Sequence, residues 1–240
     1  MLGLGNSTTS ATTLKEPVLL ETDNPFLQLW LKFNTGITDS GGAISQWDDS
    51  SGNGRHAKQT VSSRKPTLSS GDVDFDGSDD RLDLDANINF GPISFFAVVD
   101  PQQATPDKES IVGSSSTNHI RIHQGSDPDR LTFRATSGNI SDQTNLTEDL
   151  PSGKFLLTVI RQRGTVNNVI VRVNGSVVTH TDQDNSDVSD NFTIKTIGTS
   201  GGGLNPFDGL INEIAAFNTV ADSQELVNIE NDIMTRNSIS

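Results

Sequence analysis

Aspartates are the residues of this chain with the widest chemical use, and they are densest between positions 72 and 85. Asp72-Val-Asp-Phe-Asp-Gly77 has the D-x-D-x-D-G spacing of an EF-hand calcium loop, although Asp83 stands where that loop needs a bidentate glutamate. Val73 and Phe75 alternate with the aspartates as in a β-strand, and no helical pattern flanks the segment. The spacing therefore predicts a strand end and a turn, and it argues against an EF-hand.

A second group of candidate ligands is His119 and His123, which stand four residues apart with Arg121 between them. On a β-strand all three side chains point to the same face. Two histidines there could begin a zinc site, but no third ligand is identifiable, and the guanidinium beside them would repel the ion. The pattern favours a polar, solvent-facing strand surface.

The elements that must position these residues are mostly short strands. Apolar residues recur with a period of two in short runs, and clusters of Gly, Asn, Asp and Ser separate the runs. Val173-Asn-Gly-Ser-Val177 predicts a hairpin with a type I′ turn. Asp222-Ser-Gln-Glu225 is a capping box, and three apolar residues follow it at helical spacing, which predicts a helix over about residues 223–235. The pattern predicts an all-β sandwich or jelly roll with one short C-terminal helix.

Composition narrows the function classes. The 240 residues carry a formal charge of −14, which argues against binding to the phosphate backbone of nucleic acids. No apolar run approaches the ~20 residues of a membrane-spanning helix, so we expect no membrane insertion. The absence of cysteine excludes disulfides, thiolate zinc sites and a cysteine nucleophile. The first residues lack the basic and apolar regions of a signal peptide, so we expect no secretion by that route.

The N-terminal segment differs in composition from the rest of the chain. Residues 1–24 begin with a stretch rich in Gly, Ser and Thr, and we interpret them as an interaction arm, with residues 25–240 as the folded domain. The arm would make its contacts through its apolar residues: Leu2, Leu4, Leu14, Val18, Leu19 and Leu20. Addition of a strand to a sheet edge is one route by which such an arm binds a neighbour.

Four sequence blocks together resemble the concanavalin A-like, laminin-G-like jelly roll, in the order found in that family. They are Leu29–Ile37, Ile44–Ala57, Pro66–Leu82 and Phe207–Phe217, and the predicted helix follows the fourth. The W-x-D-x-S-G-N-G block followed by F-D-G-x-D-D resembles modules of phage and bacterial surface proteins. The segment Met1–Ser7 resembles the N-termini of virion structural proteins of marine tailed phages. The resemblance implies a concanavalin A-like sandwich over roughly residues 26–235.

The resemblance implies two functions. The first is a virion structural protein: a capsid decoration protein assembled in the host cytoplasm, whose arm binds the major capsid protein, a neighbouring virion subunit or a second copy. The second is a lectin-like adhesion module that binds host-surface glycans, with Trp47, Asp48 and Asn53 forming the glycan rim.

The same superfamily includes glycosidases, and the sequence argues against that activity. Those enzymes need paired carboxylates at E-x-D-x-x-E spacing on one strand face, and no such string exists here. Glu213 matches a position that is structural in the family, and apolar residues stand where its partners would be. We therefore expect a non-enzymatic protein without an organic cofactor. The resemblance leaves calcium open as a bound ion, with Asp79, Asp80 and Asp208 as its candidate ligands.

Overall fold

The computed structural model describes residues 20–102, 108–123, 130–135, 143–146, 150–163, 169–183 and 190–240. These ranges contain eighteen strands, a 3₁₀ turn at Ser62–Arg64 and one α-helix, Ser223–Arg236 (α1). The strands are Leu27–Leu31 (β1), Ile37–Ser40 (β2), Ala43–Trp47 (β3), Ala57–Lys58 (β4), Thr67–Ser69 (β5), Asp72–Asp76 (β6), Leu82–Phe90 (β7), Ile93–Pro101 (β8), Lys108–Ser115 (β9), Asn118–His123 (β10), Arg130–Ala135 (β11), Gln143–Leu146 (β12), Phe155–Arg161 (β13), Val169–Val173 (β14), Ser176–Val177 (β15), His180–Gln183 (β16), Phe192–Ile197 (β17) and Asp208–Phe217 (β18).

Antiparallel pairing groups the strands into two layers. The first layer runs β5–β6–β18–β8–β13–β14–β15, and β1 pairs with the second half of β18 on the same side as β6. The second layer runs β4–β7–β17–β9–β10–β11–β12–β16. Strand β3 links the layers, because it pairs with β4 and also with β5. This architecture confirms the predicted all-β jelly-roll sandwich with a C-terminal helix.

The core lies between the two layers, and strand β8 shows how the chain builds it. Successive side chains of a strand point to opposite faces, so Phe95 and Val99 face the second layer, whereas Phe96 and Val98 face α1. All four side chains are fully buried. The continuous apolar run Ile93–Val99 is therefore a strand covered on both faces, which is what such runs are typical of.

Helix α1 covers the outer face of the first layer. Asp222 caps it, because its carboxylate accepts hydrogen bonds from the amides of Gln224 and Glu225, each at 3.0 Å. The Glu225 carboxylate accepts the amide of Asp222 in return, which completes the predicted capping box. Leu226 and Ile229 are buried against the layer. Each such side chain contributes about 1.5–3 kcal/mol by leaving water.

Two buried carboxylates fasten α1 and its C-terminus to the sheet. Glu213 of β18 accepts the indole N–H of Trp30 at 2.8 Å and a guanidinium N–H of Arg236 at 2.8 Å. Glu230 of α1 accepts the Thr158 hydroxyl at 2.9 Å and the Arg172 Nε–H at 2.8 Å. Both carboxylates are about 1% exposed, so these donors replace the hydrogen bonds that water would otherwise make. Glu213 thus has the structural position that the sequence predicts for it.

The predicted hairpin joins β14 to β15. Asn174 and Gly175 have φ values of +46° and +77°, which are the left-handed conformations of a type I′ turn. The Asn174 side-chain oxygen also accepts the Leu156 amide at 2.9 Å. The turn is therefore tied to the neighbouring strand β13 as well as closing the hairpin.

Candidate functional site

The structure gathers acidic side chains at the end of β6, in a group that we call the acidic rim: Asp74, Asp76, Asp79, Asp80 and Asp208. Strand β6 ends at Asp76, whose carboxylate accepts the amides of Ser78 at 2.9 Å and Asp79 at 3.3 Å. The Asp80 carboxylate accepts the Asp76 amide at 3.1 Å. These bonds fold the turn back on itself. One carboxylate oxygen from each of Asp76, Asp79 and Asp80 therefore lies within 4.8 Å of the others.

Asp208 joins this rim from the neighbouring strand. It pairs with Asp76 where β6 meets the start of β18. Its side chain crosses the turn so closely that a Cβ on Gly77 would lie 2.8 Å from the Asp208 Cβ. Gly77 also has a φ of +70°, so a glycine meets both the steric and the conformational demand of this turn. The three aspartates named from the sequence therefore lie on one rim.

Burial and mutual repulsion perturb two carboxyls of the rim. Asp80 is 5% exposed, and burial, followed by the charge of Asp76, raises its pKa to about 6. Burial also raises the pKa of Asp74, and the charges of Asp208 and Asp76 add to the effect. Both shifts mean that the ionised rim is destabilised in the folded protein. Carboxylate oxygens at this density are the ligands that Ca²⁺ prefers.

The sequence names Asp79 and Asp80 as candidate ligands but not Asp76, whose carboxylate lies within 4.8 Å of theirs. Asp76 was interpreted as a strand residue, and its position as the last residue of β6 brings its carboxylate into the turn. The signal that could have found it is the glycine at position 77, because a turn directly after a strand end returns the following residues to that end.

The rim also carries basic and apolar side chains. Arg64 Nε lies 3.9 Å from an Asp79 carboxylate oxygen. The Arg81 guanidinium lies beside Gly203: a Cβ added to that glycine would be 3.3 Å from Arg81 Nη1. Leu204 is 49% exposed at the tip of the loop between β17 and β18. Acidic side chains flanked by guanidinium groups can bind a polar ligand through charge-assisted hydrogen bonds.

The second predicted group, Trp47, Asp48 and Asn53, does not form a glycan rim of the expected kind. Trp47 is fully buried, and its indole N–H donates to the Lys32 carbonyl oxygen at 3.1 Å. It presents no ring face to a sugar, so its prediction as a surface contact is wrong. Two tryptophans in a protein this poor in aromatics serve the core, because the core needs their apolar area.

Asp48 and Asn53 are more exposed than Trp47, but their bonds are structural. An Asp48 carboxylate oxygen lies 3.2 Å from His56 Nδ1. The Asn53 amide donates to the Leu27 carbonyl oxygen at 2.8 Å. Leu27 pairs with Phe217 at the far end of β18 from Asp208, nine residues or about 30 Å along the strand. Asn53 and the acidic rim are therefore separate surfaces.

Asp49 stabilises the turn that contains Gly52, Asn53 and Gly54. Its carboxylate accepts the amides of Trp30 at 2.9 Å, Ser51 at 2.9 Å and Arg55 at 3.0 Å. A buried carboxylate that satisfies three amides fixes a loop rather than binds a ligand. The turn between β3 and β4 therefore has a structural role.

The histidine strand is also placed differently from the prediction. Ile120 and Ile122 of β10 face the core and are fully buried, so His119 and Arg121 lie on the outer face of the second layer. Even there they are only 1% and 9% exposed. The prediction of a solvent-facing surface is therefore wrong. The strand pattern showed the shared face, but it carried no information about what covers it.

The N-terminal residues can be compared with the structure only in part. Leu2, Leu4, Leu14, Val18 and Leu19 lie outside the described residues. Leu20 packs against the apolar cluster formed by α1 and the outer face of the first layer. No helix in the described part of the chain has the length and apolar character needed to cross a bilayer.

A family model of the laminin-G type, described as the concanavalin A-like lectin/glucanases superfamily, matches residues 75–227. The chain belongs to this superfamily. The matched region runs from within β6 into α1 and includes every residue of the acidic rim except Asp74. A sequence comparison with curated proteins finds no match.

Solved structures with the same fold are distant in sequence. Trypanosoma rangeli sialidase in complex with 2,3-difluorosialic acid is similar with a TM-score of 0.58 and 10% identity, over 89% of this chain and 34% of that chain. Domain 4 of AbnA, a GH43 extracellular arabinanase from Geobacillus stearothermophilus in complex with arabinotriose, is similar with a TM-score of 0.55 and 15% identity, over 85% of this chain and 98% of that domain. The chain thus spans about a third of the sialidase and nearly all of the arabinanase domain.

Proposed function

We propose that this protein is a non-catalytic carbohydrate-binding module. The observation that supports the proposal most is its membership in the concanavalin A-like lectin/glucanase superfamily across most of the sandwich. The similarity to the arabinanase domain, which was solved with arabinotriose, covers 85% of this chain and agrees with the proposal at the level of fold. The buried carboxylate of Glu213 is held by Trp30 and Arg236, so it is occupied with structural bonds.

The arrangement of the layers indicates where a glycan would bind. Helix α1 covers the outer face of the first layer. On the outer face of the second layer, Ser110, Arg121 and Thr132 are buried, so this face is not open to a ligand at their positions. Sugar hydroxyls are recognised by polar groups fixed on a rigid scaffold. In the acidic rim Asp76 is exposed and Asp79 is half-buried, so the rim is the surface on which we place carbohydrate binding.

Affinity electrophoresis in gels that contain a polysaccharide tests the proposal. The panel would hold neutral chains (arabinan, laminarin and xylan) and acidic chains (polygalacturonate and alginate). We expect at least one polysaccharide to retard the protein relative to a gel without it, and thermal melting would show that the protein is folded. Unchanged migration in every gel would contradict the proposal, and release of reducing sugar would contradict its non-catalytic part.

A role as a virion decoration protein is the second candidate, and residues 1–20 would anchor the domain. Leu20 packs on the α1 side of the sandwich, so the chain enters the domain on the face opposite the outer face of the second layer. A domain anchored through residues 1–20 would therefore present that outer face away from its anchor. Deletion of residues 1–20 should abolish association with capsids while the melting temperature changes little. Retained association would contradict this role.

Calcium binding by Asp79, Asp80 and Asp208 also stays a prediction, and the structure adds Asp76 as a fourth candidate ligand. Asp76, Asp79 and Asp80 could supply oxygen ligands at the end of β6, and Asp208 could contribute from β18. The ion would neutralise the repulsion that raises the pKa of Asp80.

A further inference from the structure

Three polar side chains that are distant in the sequence meet on the outer face of the first layer: Asp72, Lys154 and Asn212. The Asp72 carboxylate lies between the other two. Its Oδ1 accepts a hydrogen bond from the Asn212 side-chain amide, and its Oδ2 is 3.6 Å from the Lys154 Nζ. An amine and a carboxamide are therefore held on the two oxygens of one carboxylate.

Strand pairing brings the three residues together. Four core residues form one row across β6, β18, β8 and β13: Val73, Ile211, Val99 and Phe155. Asp72, Asn212 and Lys154 are each the chain neighbour of a residue in this row. The register of β18 against β8 shifts at Asn212, and a bulge of this kind re-aims the side chain of the extra residue.

The amide and the carboxylate are shielded from water. Asp72 is 8% exposed and Asn212 is 1% exposed. The half-buried Lys154 is oriented by a second contact, because its Nζ lies 5.7 Å from the centroid of the Phe33 ring. Exclusion of water from such a site favours attack by an amine over hydrolysis.

The hydrogen bonding of Asn212 is incomplete for a structural residue. Its side-chain nitrogen donates to Asp72, whereas its buried Oδ1 has no hydrogen-bond partner among the described residues. Buried polar atoms in folded proteins are nearly always paired. The Asn212 amide thus contacts a carboxylate at its nitrogen and no described donor at its oxygen.

The environment of Asp72 makes it a proton acceptor for the amine. Burial raises the pKa of Asp72, Lys154 partly opposes the rise, and the charge of Asp100 adds to it. A carboxylate whose pKa is raised accepts a proton more readily from a neighbouring ammonium group. This transfer leaves a neutral amine, which is the nucleophilic form of lysine.

We propose that Lys154 and Asn212 join in an intramolecular isopeptide bond, with Asp72 as the general base and acid. The Lys154 ammonium transfers a proton to Asp72, and the neutral Nζ attacks the Asn212 Cγ, so that the Nζ–Cγ bond forms. The Cγ–Nδ2 bond then breaks, and Nδ2 leaves with the electron pair of that bond.

The protons and charges of this step balance within the three residues. Asp72 gives its proton to the departing Nδ2, which becomes ammonia. The second proton that Nζ loses leaves with the ammonia as ammonium, and Asp72 returns to its ionised form. The reaction consumes no oxidant or second reactant. Its product links the residue before β13 to β18 across β8, and such a cross-link restricts the unfolded chain.

Intact-mass measurement and a tryptic peptide map of the full chain test the proposal. We expect the folded wild type to be lighter than its sequence requires by one molecule of ammonia. Because trypsin does not cleave after an acylated lysine, the map should contain residues 135–161 joined to residues 196–236.

Three variants assign the roles of the residues. Lys154→Arg keeps the positive charge beside Asp72 but cannot form the amide, so it should have the full sequence mass. Asp72→Asn should form the bond about a hundredfold more slowly, because it removes the proton carrier. The matched control is Lys58→Arg, in the ion pair of Lys58 with Asp85 at 2.8 Å, and it should keep the loss of ammonia.

The outcomes decide the proposal in either direction. A folded wild type with the full sequence mass, unchanged after prolonged incubation, would overturn it. A loss of ammonia that persists in Lys154→Arg would also overturn it. Such a loss would indicate a succinimide at an Asn-Gly pair, Asn53–Gly54 or Asn174–Gly175, and the peptide map would locate it. The wild-type map requires no variant, so it decides the question even where a variant does not fold.

Discussion

Replacement of Asp80 by asparagine tests the electrostatics of the acidic rim. Asp80 is 5% exposed and lies beside Asp76 and Asp79. Burial and these charges raise its pKa from 3.8 to about 6. Asp80→Asn removes the charge and keeps a side-chain oxygen that can accept the Asp76 amide. The turn should therefore keep its geometry and lose its repulsion.

The size and sign of the effect follow from the pKa. A carboxyl whose pKa rises from 3.8 to about 6 on folding costs the folded state about 3 kcal/mol once it is ionised. The cost is absent below the unfolded pKa, increases between the two pKa values and is complete above the folded one. The free energy of unfolding of the wild type therefore falls, through the ionisation of Asp80, as pH rises through this window. Because about 1 kcal/mol shifts the melting temperature of a chain this size by about 2–4 °C, removal of a cost of about 3 kcal/mol in Asp80→Asn should raise the melting temperature by roughly 6–12 °C at neutral pH.

The assay is thermal unfolding of the wild type and two variants between about pH 4 and pH 8. We expect the gain of Asp80→Asn to shrink towards zero at the acidic end, where the wild-type carboxyl is protonated. The matched control is Asp23→Asn, which makes the same charge change at an exposed position and should shift the curve by less than about 0.5 kcal/mol. An Asp80→Asn variant that melts at or below the wild-type temperature at neutral pH would refute the reasoning.

A bound calcium ion should stabilise the acidic rim, whereas ionisation of Asp80 destabilises it. An ion coordinated by Asp76, Asp79 and Asp80 would convert repulsion into attraction, so millimolar CaCl₂ should raise the wild-type melting temperature at neutral pH. The same salt should have little effect on Asp80→Asn, which has lost one ligand charge. Equal shifts in the two proteins would contradict the calcium prediction and leave the pH argument intact.

Three further predictions concern the packing of the sandwich. Glu213→Gln should destabilise the protein by about 3–5 kcal/mol in urea unfolding, because Arg236 loses its buried partner; a loss below about 1 kcal/mol would contradict this role. Ile229→Ala should lower the free energy of unfolding by about 2–5 kcal/mol in the same assay. The control Val227→Ala, on the exposed side of α1, should lower it by less than about 1 kcal/mol. Equal losses would contradict the packing of α1. Trp47→Phe should lower the melting temperature and leave polysaccharide affinity unchanged, since Trp47 is fully buried; weaker binding at full stability would contradict its placement in the core.

The sequence alone predicted the class of fold and several local elements. The period-two runs predicted the strands, the Asn174–Gly175 turn predicted the hairpin, and the Asp222–Glu225 capping box predicted α1 to within about one residue at its C-terminus. These features are readable because each depends on residues that are close in the chain. A cap, a turn and the alternation of a strand are decided by local backbone geometry and by the side chains within a few positions.

Only the tertiary structure decided which faces are covered and which distant residues meet. Trp47 appeared suitable for a rim and lies in the core, and the strand of His119 and Arg121 appeared exposed and is buried. Asp208 reaches Asp76 across 132 positions of sequence because β18 pairs with β6. Alternation along a strand shows which residues share a face, but burial depends on the layer or loop that packs against that face. That packing is set by long-range pairing, which local sequence patterns do not encode.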